Sequence, residues 1–206
     1  MPNGDPRGVA SSAPVYYECP ECSRLSSHPD FRDLRGDGCE TCRRPADRPA
    51  RTFPTERLRR LDERIRRYHT EGEHEIVVIL AAAFLEAILE DILDRVLVEH
   101  GADAAVRRVV MGGQRSITQR ISRVFPALTG VEFEEAAAEA GYRDFPKRWR
   151  TLRDARNAFI HDSPFRGGHE SLDRAMSHES MVLLDQAYHL FVLVNNRFAA
   201  STGARG

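Results

Sequence analysis

At 206 residues the chain has room for one ordinary domain and a small appended module. Hydrophobic residues make up 41% and charged residues 30%, a composition typical of a soluble protein with a hydrophobic core. The net charge of −1 argues against a protein that coats nucleic acid without specificity. No stretch approaches the roughly 18 consecutive apolar residues of a membrane helix, and no signal peptide is recognisable, so we expect a cytoplasmic protein.

All four cysteines lie close together near the N-terminus, in two pairs of Cys-x-x-Cys spacing. Cys19 and Cys22 form the first pair, and Cys39 and Cys42 follow after sixteen residues. Each such turn directs two thiolates at one tetrahedral ion, so the two turns together predict a closed, structural Zn²⁺ site without an open position for water. Two disulfides or four unrelated thiols are the alternatives, and a cytosolic setting disfavours disulfides.

The predicted zinc ribbon spans residues 15–50 and follows a disordered lead-in over residues 1–14, which is rich in Pro, Gly and Ser. So short a segment with few large apolar side chains needs its metal for stability. Tyr16, Tyr17 and Phe31 either pack against the metal-binding turns or stack on nucleic-acid bases.

The prolines at positions 45, 49 and 54 mark the joint after the ribbon, and residues 51–70 are predicted to be a basic linker helix. Thr55 and Glu56 begin the helix, which runs through Tyr68, and the whole segment carries seven Arg against three acidic residues. Six of the arginines surround its apolar stripe: Arg57, Arg59, Arg60, Arg64, Arg66 and Arg67. They form either a phosphate-binding surface or a solvated helix face.

The remaining residues, 71–200, show helical periodicity and no period-two alternation, so we expect an all-α fold, a helical bundle whose strands are confined to the ribbon. The predicted helices cover residues 73–99, 104–110, 116–124, 133–140, 146–161 and 173–198. Their expected ends are Gly101, Gly112-Gly113, Pro126, Gly141 and Ser163-Pro164, with a flexible loop at Gly167-Gly168.

The helix over residues 146–161 carries three residues that suit phosphate chemistry. Asn157 and His161 lie one turn apart on its polar flank, whereas Arg156 falls on the apolar arc. A guanidinium there needs a carboxylate, a route to solvent or an interface, because burying it unpaired is costly. One reading therefore has Arg156 paired with an acidic residue of helix 73–99, while His161 ends its own helix. In the other reading, Arg156 holds a phosphate, His161 titrates near neutrality and Asn157 orients either of them.

The run Arg156-Asn157-Ala158-Phe159-Ile160-His161 resembles the Arg-x4-6-His motif of the HEPN superfamily. The segments His74-Glu75-Ile76 and Ala83 to Leu89 resemble the first HEPN helix, and the motif precedes a final long helix, as in that family. The resemblance covers roughly residues 71–200 and leaves the zinc ribbon outside it.

The resemblance implies a HEPN-like bundle and a metal-independent endoribonuclease that acts on RNA as a homodimer. In such enzymes the RNA 2′-hydroxyl attacks its own 3′-phosphate and leaves a 2′,3′-cyclic phosphate. His161 would then be the general base or acid, Arg156 would stabilise the phosphorane, and Asn157 would orient the phosphate or His161. No cofactor for catalysis is expected.

The family analogy also implies a toxin–antitoxin or phage-defence role with an antitoxin or defence partner protein. HEPN toxins silenced by a partner nucleotidyltransferase commonly carry a tyrosine two positions after the motif His, and here that position is Ser163, which argues against that form of control. The alternatives are a non-catalytic module that binds RNA or a protein through ribbon and bundle, and a regulator that binds DNA through the helix of residues 57–67.

Overall fold

The computed structural model describes residues 13–27, 39, 41–42, 51–113, 116–161 and 172–200. Within these ranges it contains three short strands and seven helices. The strands are β1 (Tyr16–Glu18), β2 (Leu25–Ser26) and β3 (Arg51–Phe53). The helices are α1 (Glu56–Glu71), α2 (His74–Glu99), α3 (Ala104–Gly113), α4 (Ile117–Thr129), α5 (Phe133–Glu139), α6 (Phe145–His161) and α7 (Arg174–Phe198). The fold is thus predominantly helical, as the sequence predicts.

Helix α2 is the centre of the bundle. Twelve of its 26 residues are buried, because apolar side chains point to several sides of the helix. It packs against α1, α4, α6 and, most extensively, α7. Phe84 contacts Tyr188 with an edge-on ring, and Arg95 donates a hydrogen bond to Asn195, so α2 and α7 run in the same direction.

Most helix ends follow the expected capping chemistry. Thr55 accepts a hydrogen bond from the backbone N–H of Leu58 at the start of α1, and Asp173 does the same for Met176 at the start of α7. Gly72 and Gly130 end α1 and α4 with φ values of 81° and 71°, which an L side chain rarely adopts.

The prediction that Pro126 stops helix α4 is wrong. The helix continues through Pro126 to Thr129. Proline removes one backbone hydrogen bond, but here it lies in the last turn, where few bonds depend on it. The preceding Phe125 is fully buried and makes edge-on contacts with Phe133 and Phe198, which hold this turn in the bundle.

The three strands form one antiparallel sheet in the order β2-β1-β3. Strand β3 lies in the segment expected to be a linker helix over residues 51–70. Residues 51–53 pair with β1, so the expectation that strands are confined to residues 15–50 is wrong, whereas the helix begins at Glu56, as predicted. The physical reason is burial: Phe53 is only 3% exposed and belongs to the same hydrophobic core as the bundle.

Polar side chains of α7 hold the sheet against the bundle. The Asn196 side chain accepts a hydrogen bond from the Leu25 backbone N–H and donates one to the Leu25 carbonyl, both at 2.8 Å. The neighbouring Asn195 is 1% exposed and donates to the Ser23 carbonyl at 2.9 Å. These side chains form hydrogen bonds with backbone N–H and C=O groups of β2 and of the turn before it. They thereby make the bonds that a neighbouring strand would otherwise make.

Aromatic rings complete this contact between ribbon and bundle. Phe53 stacks on Phe191 with ring centroids 4.1 Å apart and planes 7° from parallel. Tyr16 is 5% exposed and packs beside Phe53, so it belongs to the protein core and not to a base-stacking surface. Arg95 lies over the Phe191 ring and donates to the Glu18 carboxylate. The three strands are therefore part of one packed body with the bundle.

Several predictions concern residues outside the described ranges: most of the lead-in (1–12), Phe31, Pro45, Pro49, Ser163-Pro164 and Gly167-Gly168. Among the described helices, none combines the length and the apolar character needed to cross a membrane.

Candidate functional site

The four cysteine thiols form a compact cluster. All four Sγ atoms lie within 4.8 Å of one another. Cys19 Sγ and Cys42 Sγ are 3.9 Å apart, and Cys22 Sγ and Cys39 Sγ are 3.8 Å apart. These distances are far too long for a disulfide bond, but they match the edge of about 3.8 Å of a tetrahedron whose centre lies about 2.3 Å from each sulfur. The four thiols could therefore hold a metal ion.

A tight turn after β1 positions the first two thiols. The backbone N–H of Ser23 donates to the Cys19 carbonyl, and the Cys19 N–H donates to the Arg24 carbonyl, both at 2.9 Å. Ser23 has a φ of 59°, the left-handed conformation that closes such a turn. The turn leads directly into β2, so the sheet that docks on α7 also orients Cys19 and Cys22.

The electrostatics of the cluster favour a bound cation. Burial raises the pKa of the Cys19 thiol to about 11 and raises that of Cys22 as well. Burial also opposes ionisation of Cys39, but hydrogen bonds from the backbone of Cys42 and Thr41 outweigh it and lower the Cys39 pKa. Several buried thiols side by side cannot all be ionised unless a positive charge lies between them, which a divalent ion supplies.

A second candidate site is a polar cleft of about 530 Å³ between α2, the first turn of α4, and α6. Its lining contains three arginines and two glutamates, for a net charge of +1. The lining residues are Glu86, Glu90, Ser116, Ile117, Thr118, Gln119, Arg120, Arg153, Arg156 and Asn157. Two of the three residues predicted for RNA chemistry, Arg156 and Asn157, therefore face the same cleft.

Arg156 forms the ion pair that one reading of the sequence predicts. Its Nη2 donates to Glu86 Oε1 on α2 at 2.6 Å, and its side chain is 17% exposed. The Arg156 Nε is buried without a hydrogen-bond partner among the described residues. Glu86 itself remains 28% exposed, so the pair borders the cleft and is not sealed in the core.

Two further groups of the cleft were missed by sequence reasoning. Arg120 of α4 pairs with Glu90 of α2, and Thr118 Oγ1 is buried without a partner in the described part of the chain. Both belong to the first turn of α4, where backbone N–H groups lack intrahelical acceptors and favour an anion. Nothing in the local sequence of α4 shows that it packs beside Arg156, because that contact depends on tertiary structure.

His161 lies apart from the cleft. It is the last residue of α6, it is exposed, and it is not among the residues that line the cleft. It lies five positions after Arg156, a rise of about 7.5 Å along the helix. The structure thus brings Arg156 and Asn157 together and leaves His161 beyond them, beside Ile160, whose side chain is 49% exposed.

No family model, curated protein or solved structure matches the chain. The HEPN resemblance therefore rests on the motif and on the helix pattern around it.

Proposed function

We propose that the chain is a metal-independent endoribonuclease of the HEPN type that acts as a homodimer. The observation that carries this proposal is the position of Arg156 and Asn157 in a cleft with net positive charge. The Arg156 Nε also supports the proposal, because it is buried without a hydrogen-bond partner among the described residues. A phosphate could occupy such a cleft, since arginine binds phosphate oxygens through its planar fork.

In the proposed reaction the RNA 2′-oxygen attacks its adjacent phosphorus while the bond from phosphorus to the 5′-oxygen breaks. The products are a 2′,3′-cyclic phosphate and a 5′-hydroxyl. Arg156 stabilises the negative charge that builds on the phosphorane, and Asn157 orients the phosphate by hydrogen bonding. Glu86 keeps the Arg156 side chain beside the cleft before the substrate arrives.

Proton transfer in this mechanism falls to His161. One copy takes the proton from the 2′-hydroxyl, and a second copy delivers a proton to the leaving 5′-oxygen. Two subunits supply two such histidines, which fits the position of His161 outside the cleft of its own chain. The exposed Ile160 beside it offers apolar surface for a subunit contact.

For the cysteine cluster we propose Zn²⁺ as the bound ion. Four thiolates at tetrahedral spacing are typical of structural zinc, and a closed set of four ligands leaves no coordination position for substrate. In this proposal the ion stabilises the ribbon and takes no part in catalysis. A cytoplasmic toxin–antitoxin or phage-defence role with a partner protein rests on the family analogy alone.

The test is cleavage of labelled single-stranded and structured RNA in magnesium-free buffer with EDTA. Far-UV circular dichroism confirms that the helices persist, since EDTA also competes for zinc. We expect Arg156→Ala to lower the cleavage rate about 10²- to 10³-fold and His161→Ala about 10²- to 10⁴-fold. Arg150→Ala is the matched control, because Arg150 lies on the same helix and pairs with Glu134 away from the cleft.

Cyclic-phosphate ends that disappear in both site variants and persist in the control would support catalysis. RNA that is bound but left intact by the wild type would instead support a non-catalytic binding module. The Arg156–Glu86 ion pair and the separate position of His161 are the observations that favour this second candidate.

A further inference from the structure

A groove lies between α1 and α2, on a different side of α2 from the Arg156 cleft. Its volume is about 950 Å³. Three arginines, one glutamate and three small or half-buried apolar residues line it: Glu56, Arg57, Leu58, Arg60, Leu61, Arg64 and Ala87. Basic side chains therefore border an apolar floor.

The arginines of α1 divide into two sets by their contacts. The first set does not line the groove and is engaged in ion pairs: Arg66 is buried against Asp62 and Asp185, Arg67 lies 3.7 Å from Glu71, and Arg59 bonds Glu56 and Glu63. The second set, Arg57, Arg60 and Arg64, lines the groove.

The second set carries excess positive charge. Neither Arg57 nor Arg64 forms an ion pair with any residue that the structure describes. Within the described part of the chain Arg60 pairs with Glu56 alone, at 2.7 Å, and Glu56 is shared with Arg59. The groove therefore presents three guanidinium groups against one shared carboxylate. This excess separates the groove from an ordinary solvated helix face, where charges of both signs alternate.

The spacing of the three arginines suits a chain of phosphates. Arg57, Arg60 and Arg64 occupy one face of α1 at intervals of three and four residues, over an axial length of about 10 Å. Leu58 and Leu61 are half-buried between them and give the groove an apolar floor against which sugars and bases can lie. A positively charged groove that tracks the backbone is how proteins hold single-stranded nucleic acid without reading its sequence, and here aliphatic contacts take the place of the aromatic stacking platforms such proteins commonly add.

The groove also adjoins the candidate catalytic cleft. Ala87 forms part of its wall, and the preceding residue, Glu86, pairs with Arg156 inside the cleft. The two depressions thus flank the same turn of α2 and lie about one helix diameter apart, roughly 10 Å. A single strand only a few nucleotides long can span that distance.

We propose that the groove between α1 and α2 binds the phosphate backbone of single-stranded RNA next to the phosphate held in the Arg156 cleft. The inference deepens the proposed ribonuclease function and rests on it for the identity of the bound RNA. The groove binds neighbouring phosphates and so adds affinity for the strand, while the cleft holds the phosphate that reacts.

The experiment measures binding separately from cleavage. Fluorescence anisotropy follows a labelled 12-nucleotide uridine oligomer over a range of salt concentrations, with the full chain carrying His161→Ala so that the RNA stays intact. In this background Arg57→Gln with Arg64→Gln is compared with Arg67→Gln with Arg150→Gln. Both pairs remove the same charge, but only the first pair lines the groove, and neither control arginine pairs with a residue that lines it.

We expect the groove pair to weaken binding about tenfold at low salt. It should also reduce the slope of log affinity against log salt by about 1.4, since each lost phosphate contact contributes about 0.7 for single strands. The control pair should lose less than about threefold. Equal losses in both pairs would overturn the inference, because the arginines would then act only through net charge. Tighter binding of duplex DNA, or of vesicles of phosphatidylserine and phosphatidylcholine, than of the RNA oligomer would also overturn it.

Failure of this inference can be told apart from failure of the proposed function. If the wild type binds RNA through the groove and leaves it uncleaved, the ribonuclease proposal fails and the groove inference is supported. If the wild type cleaves RNA and the groove pair binds and cleaves like the wild type, the groove inference fails alone.

Discussion

Replacing Phe53 by alanine should destabilise the whole helical bundle, although Phe53 lies in the three-stranded sheet next to the cysteine cluster. Its ring is 3% exposed, stacks on Phe191 and meets Tyr188 edge-on at 6.3 Å. Truncation of a buried phenylalanine costs about 3–5 kcal/mol, and the aromatic pairing is included in that loss. For a chain of this size each kcal/mol lowers the melting temperature by about 2–4 °C, so a shift of about 6–20 °C is expected.

The assay is thermal and denaturant unfolding followed by far-UV circular dichroism, which reports mainly the helices. Val109→Ala is a suitable control, because Val109 is 73% exposed and its truncation should change the free energy of unfolding by less than about 0.5 kcal/mol. If Phe53→Ala left the helical transition where it is in the wild type, the ribbon would be an independent module. The argument for one packed body would then be wrong.

Three further predictions follow from the same packing. If the cysteine cluster holds the proposed zinc ion, its chelation should lower the midpoint of thermal unfolding in calorimetry at least as far as Phe53→Ala does, because structural zinc contributes roughly 10 kcal/mol or more to small modules. Arg66→Met should cost about 3–5 kcal/mol in denaturant unfolding, since it leaves Asp62 without its buried partner, whereas the exposed Arg67→Met should be nearly neutral. Burial, with nearby positive charges, lowers the pKa of His69 in the folded chain. The unfolded chain therefore binds this proton more readily, and the free energy of unfolding falls as the pH drops below the ordinary histidine pKa near 6.5. Between pH 7.5 and 5.5, His69→Gln should lose less unfolding free energy than the wild type, and an equal loss would contradict this assignment.

The helical architecture was largely predictable because its signals are local. The apolar periodicity of α2 and α7, the caps at Thr55 and Asp173, and the glycine at position 101 each act within a few residues of chain. The cysteine cluster was predictable for the same reason, because the Cys-x-x-Cys spacing of its two pairs is visible in the sequence. Local signals failed at Pro126, where packing of the neighbouring aromatic ring decides the outcome.

The parts that could not be predicted depend on residues far apart in the chain. Asn195 and Asn196 were simply polar positions on a long helix, yet they bind backbone groups of Ser23 and Leu25. Arg120 was one arginine in a basic segment, yet it lines the cleft of Arg156. Periodicity identifies which face of a helix is buried, but it does not identify the element that covers that face. These contacts therefore depend on the tertiary structure.

Helix α2 connects the three features on which the proposals depend. Near its C-terminal end Arg95 holds the sheet of the ribbon through Glu18, and in its middle Glu86 faces the cleft while Ala87 borders the basic groove. A rigid helix that is buried on several sides keeps such features at fixed distances. The three-stranded sheet therefore has a structural role: it anchors the C-terminal end of α2, the helix that lies between the cleft and the groove. Under the proposed function, loss of the proposed zinc ion would lower RNA cleavage through the stability of α2, because no cysteine lies among the residues that line either depression.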